Sequence, residues 1–175
     1  MELQKLKADI ILDQKKGLPF IVSSIIVWFL IWIVTTSDIP IGLKNIYIFS
    51  CSIPMVPIAW LAGKIMGVEV FKNENPLGKL GFLFTMNQML YLLIVMWVLN
   101  VLPEKMVMVY AMVFGSHLLP YSWLYESKAY LFFSIFITII SLIVGSLFPI
   151  DVLAILLCLT EVIFSFALRL EVKNL

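Results

Sequence analysis

Six long apolar runs, separated by charged, proline and glycine positions, divide the chain at about residues 18–35, 45–64, 80–102, 104–119, 129–148 and 149–169. Runs of this kind suit α-helices crossing a hydrocarbon core about 30 Å thick, at about 1.5 Å of rise per residue. The pattern predicts an all-α polytopic membrane protein, six transmembrane helices in one bundle, forming a single membrane domain over residues 1–175. Ahead of the first run, residues 1–17 place Leu3, Leu6 and Ile10 at helical spacing. Lys5, Lys7, Lys15 and Lys16 fall mostly on other faces. That arrangement predicts a short amphipathic helix on the membrane surface, the first turns of a longer helix, or a solvated helical tail.

The breakers within and between the runs refine this outline. Pro54 and Pro57 lie inside the second run. Each removes a backbone donor, so that span is expected to be kinked or locally unwound, with the carbonyls of Ser50 and Ile53 bonded to water or side chains. Ala59, Gly63 and Gly67 form a small-residue ridge where another helix, of a partner or a second copy, can approach closely. Ala111 and Gly115 form a second small pair in the fourth run. The connector carries the turn sequence Asn73-Glu74-Asn75-Pro76, Pro103 is placed to open the fourth span, and Pro120 to stop it. Residues 121–128 then read as a short aromatic loop. No repeat relates the first three runs to the last three.

Composition agrees with the pattern and narrows the function classes. Hydrophobic residues make up 62% of the 175 and charged residues 13%, a balance that excludes a water-soluble domain. Cys51 and Cys158 both fall in apolar runs and read as small hydrophobes. With a single histidine, no Gly-rich phosphate loop and no nucleophile elbow, the sequence assigns no catalytic residue, no metal site and no cofactor. Basic clusters interleaved with aromatics are absent too, which excludes nucleic acid as a partner and leaves the lipid bilayer. The first run is read as a retained anchor rather than a signal peptide, and no lipidation motif is expected.

Charge placement sets the orientation. With the N-terminus inside, Lys5, Lys7, Lys15, Lys16, Lys64, Lys72, Lys79, Lys128, Arg169 and Lys173 lie on the inner side, and only Lys44 and Lys105 on the outer. The asymmetry predicts that both termini are cytoplasmic.

The segments NPLGKLGFLFTMNQMLYLLIVMW, residues 75–97, and PEKMVMVYAMVFGSHLLPYSWLY, residues 103–125, resemble a family of small multi-pass bacterial membrane proteins of unknown function. The resemblance extends more loosely to the opening KKGLPF and the first two spans. It implies a bacterial plasma-membrane setting and supplies no catalytic or binding residues.

The candidate chemistry sits in the polar residues of the spans. Glu161 has apolar neighbours for most of a helical turn on either side, and a carboxylate near the middle of a membrane helix costs roughly 2.5–3.5 kcal/mol on insertion scales. Counted from the inner charges, Glu161, Asn87, Gln88, Ser23 and Ser24 lie within about 11–13 Å of the interface, with His117 shallower. One reading places them around a cytoplasm-facing polar cavity that binds or transports a small polar solute or ion. A second makes Glu161 or His117 the acid or base of a membrane-embedded enzyme acting on a lipid-like substrate. In a third the protein is a non-catalytic partner subunit, and the polar residues are interhelical hydrogen bonds with Glu161 a neutral carboxyl.

Overall fold

A computed structural model describes residues 2–71 and 74–175. Met1, Lys72 and Asn73, which enter the expectations above, lie outside them. The described residues form helices α1 (Glu2–Gln14), α2 (Leu18–Thr35), α3 (Ile41–Ser50), α4 (Met55–Met66), α5 (Pro76–Val101), α6 (Met106–His117), α7 (Leu119–Leu124), α8 (Lys128–Leu147) and α9 (Ile150–Lys173). No strand occurs among the described residues. With short 3₁₀ and turn segments joining α1 to α2, α3 to α4 and α6 to α7, six helical units are long and apolar enough to cross a membrane. The protein is therefore a multi-pass integral membrane protein in a lipid environment.

The centre of the bundle is the pairing of α2 with α9, against which α4, α6 and α8 are arranged. Small and aliphatic side chains make the close approach: Ser23, Ser24 and Val27 on α2, with Ala154, Leu157 and Cys158 on α9, are all buried. Trp28 fills the gap toward α6, its ring edge-on to Phe114 at 5.6 Å. Between α6 and α8, a Cβ added to Gly115 would stand 2.8 Å from the backbone nitrogen of Thr138. The predicted small pair of α6 is thus where these two backbones meet.

The second run breaks where its prolines require. α3 stops at Ser50 and α4 starts after Pro54. Contrary to the expectation that water or a side chain would serve it, the Ser50 carbonyl accepts the Ile53 amide at 3.0 Å in a tight turn. Ala59 and Gly63 are buried within the chain. A Cβ on Gly63 would meet Val70 at 2.5 Å, so the connector after α4 already lies on this ridge. At Pro120 the fourth unit bends but continues, and the expected aromatic loop is helical as far as Leu124.

α1 is a separate helix, because the chain turns left-handed at Lys15, Lys16 and Gly17, with φ of 44°, 53° and 70°. Left-handed backbone costs roughly 1–2 kcal/mol for each non-glycine residue. α1 packs against α5 and buries Lys7, Ile10 and Ile11. At the opposite end of the bundle, Lys44 donates to the Thr35 carbonyl at 3.1 Å and Lys105 to the Gly145 carbonyl at 2.9 Å. The two lysines that run against the charge asymmetry thus each bind the carbonyl end of a helix, where the macrodipole favours a cation.

Candidate functional site

α9 places Glu161 at the middle of its length, on the face turned to α2, and its side chain is fully buried. The neighbours are chosen by size. Ser23 and Ser24 leave room beside α9 that larger residues would fill, and their hydroxyls turn back to their own helix. Ser23 Oγ donates to the Pro19 carbonyl at 2.7 Å. Ser24 Oγ lies 2.7 Å from the Ile21 carbonyl and also contacts Glu161 Oε2.

A serine hydroxyl carries one proton, whereas the Ile21 carbonyl and a carboxylate are both acceptors. Both bonds form together when the carboxyl itself brings a proton, donating to Ser24 Oγ while Ser24 donates to Ile21. The other carboxyl oxygen, Oε1, is buried and has no hydrogen-bond partner among the described residues. A neutral carboxyl satisfies both contacts at Ser24, whereas an ionised one competes with the Ile21 carbonyl for the single serine proton.

Toward the end of the bundle that carries α1, a second polar cluster ties the helix ends together. Glu171 accepts from Lys16 Nζ at 2.9 Å through one oxygen and from the Ala129 amide at 2.9 Å through the other. Tyr130, buried, donates its hydroxyl to the Lys16 carbonyl at 3.0 Å. Lys7 lies 3.3 Å from Glu126 and 3.8 Å from the centre of the Trp123 ring. Tyr125 donates to Gln14 at 2.7 Å. These groups come from α1, the turn after it, α7, the segment before α8, α8 and α9. Sequence reading missed the cluster; its available signal was that Lys16 and Glu171 each flank a span at the same interface.

Of the candidate residues, the structure brings together Ser24 and Glu161, with Ser23 alongside. It does not bring Asn87, Gln88 or His117 to them. Asn87 and Gln88 sit on α5, which packs against α1, α6 and α7, and Asn87 is exposed with no side-chain hydrogen bond. The cavity expected to be lined by Asn87, Gln88 and Glu161 is therefore not formed, since equal depth did not place these residues on facing sides. His117 ends α6, its Nδ1 against the Phe114 carbonyl and its ring 6.2 Å from that of Tyr121. Among the described residues no group of three or more His, Cys, Asp or Glu side chains is arranged to hold a metal ion.

A family model described as "Family of unknown function (DUF7010)" matches residues 3–171. No curated protein and no solved structure matches the chain.

Proposed function

Since the chain belongs to that family, which carries no activity to transfer, we propose from its side chains that it binds and transports a small polar solute or ion, with Glu161 as its proton-carrying group. The observation that carries this reading is the fully buried carboxyl at the middle of α9, shared with a single hydroxyl and open at Oε1. Among the described residues three buried side-chain polar atoms lack a partner, Asn45 Oδ1, Ser141 Oγ and Glu161 Oε1, and only the last belongs to a group that can carry a charge. An open acceptor fits a donor that comes and goes. Ser23, Ser24 and Glu161 form the binding group in this proposal, and Tyr130 with the Lys16–Glu171 pair marks the side from which it exchanges.

We place that side in the cytoplasm of a bacterium, with the protein in the plasma membrane and both termini inside, on the charge asymmetry of the loops. Cysteine accessibility in intact cells checks the placement. Single cysteines at Asp38 and Asp151 are expected to react with an impermeant thiol reagent, and those at Asn75 and Ser127 to react only after permeabilisation. The reverse pattern would invert the orientation and move the exchange side outside.

The function itself is tested with the purified protein in vesicles loaded with a pH-sensitive dye and given an external acid pulse. Wild-type vesicles are expected to acidify faster than protein-free vesicles, and Glu161→Gln vesicles to match the protein-free rate. Equal rates for wild type and Glu161→Gln would remove Glu161 from any proton path.

A further inference from the structure

We infer that the outer face of α5 is the docking surface for a second copy of this chain, forming a parallel helix pair about a two-fold axis normal to the membrane. Leu83, Asn87, Leu90, Ile94, Trp97 and Val101 follow one another at spacings of four and three residues, the period of a coiled-coil seam. On a helix of 3.6 residues per turn this places them in one narrow stripe. The five apolar members are each more than half exposed, and Asn87 is exposed as well. The buried residues of α5, Val95 and Val98, lie off the stripe toward α6, so the chain's own packing leaves the whole seam uncovered.

Asn87 decides what covers the stripe. It lies about 16 Å from the start of a helix about 39 Å long, near mid-membrane, where an amide facing lipid has nothing to bond. Its side chain makes no hydrogen bond among the described residues. A carboxamide carries both donors and an acceptor, so it is complementary to itself: two copies of Asn87 facing each other across a two-fold axis satisfy one another. The apolar positions agree. Ile94 and Val101 share the heptad position of Asn87, and Leu83, Leu90 and Trp97 take the other; β-branched residues against leucines favour two parallel strands, with a single polar residue fixing the register. Copies inserted with the same topology present α5 in parallel by necessity. The occupant is therefore another α5, crossing at the shallow angle of left-handed membrane pairs.

Oxidative cross-linking of the full chain in its membrane tests the seam, in a background where Cys51 and Cys158 are replaced by serine and alanine. Single cysteines at Leu90, Ile94 and Trp97 are expected to yield disulfide-linked dimers, and cysteines at Phe82, Met89 and Met96, also exposed but off the stripe, to yield none. Energy transfer between labelled copies in vesicles supplies a second measure that needs no cysteine on the seam. Asn87→Leu is expected to weaken association about tenfold, while Asn87→Gln retains most of it. Cross-links of equal yield on and off the stripe, no cross-link at any position, an Asn87→Leu variant that associates like wild type, or cross-linking of the stripe to a different polypeptide would each overturn the proposal.

Discussion

Glu171→Ala is expected to destabilise the bundle by about 3 kcal/mol, measured by denaturant unfolding in mixed micelles. The size follows from what the substitution strands. Lys16 is only 7% exposed, and without Glu171 its ammonium keeps one long contact, to the Glu126 carbonyl at 3.5 Å. Breaking a buried pair by removing one partner costs roughly 3–5 kcal/mol, and the 24% exposure of Glu171 lets water recover part of that. The Ala129 amide at the start of α8 loses its acceptor as well. Removing the cation instead is milder. Lys16→Met leaves Glu171 bonded to Ala129 and partly solvated, at an expected cost of about 1 kcal/mol.

The same substitution has a local readout. Lys16 holds a left-handed φ of 53°, a conformation that a side chain with Cβ keeps only when its surroundings impose it. The Lys16–Glu171 pair and the Tyr130 bond to the Lys16 carbonyl are those surroundings. In Glu171→Ala the turn is free to relax, so the amides of α1 are expected to exchange faster while those of α6 keep their protection. A variant within about 0.5 kcal/mol of wild type, with α1 exchange unchanged, would show that the pair does not hold the turn.

The sequence made the membrane architecture readable because each run announces itself twice, by unbroken apolarity and by the proline, glycine or charge that ends it. It also marked Glu161 as inward-facing, since a carboxyl in the middle of an apolar run has only the bundle interior to turn to. Depth alone pairs Asn87 and Gln88 with it, and depth is one coordinate of two. Counting residues from an interface fixes how far into the membrane a group lies, whereas the face it occupies depends on an amphipathic period. On α5 that period is blurred by Phe, Leu and Met residues on most sides. The heptad spacing was present in the same residues but gains meaning only once the other side of the helix is known to be packed. Asn45 was hidden for a similar reason: it is fully buried and donates to the Pro103 carbonyl at 2.7 Å, a partner 58 positions away.

At the centre of the bundle, Ser24→Ala is expected to destabilise more than Glu161→Leu, although it removes one oxygen atom and the other removes a whole carboxyl. Alanine at position 24 leaves the carboxyl buried with neither oxygen bonded, a loss of about 1–3 kcal/mol. Leucine at position 161 has nearly the shape of glutamate, and it leaves Ser24 its bond to the Ile21 carbonyl, so stability is expected within about 1 kcal/mol of wild type. In a Glu161→Leu background, Ser24→Ala should then cost only its single backbone bond, and the double-mutant cycle gives the coupling directly. Glu161→Gln supplies the proton readout. If the carboxyl donates to Ser24, wild-type protein shows the infrared carbonyl stretch of a protonated carboxyl shielded from water, and that band is lost in Glu161→Gln while Ser24→Ala shifts its position. A wild-type spectrum without the band, or a band indifferent to both substitutions, would mean that Ser24 donates to an ionised Glu161. The charge would then require a permanent cation at Oε1, and the reading of Glu161 as a proton-carrying group would fall.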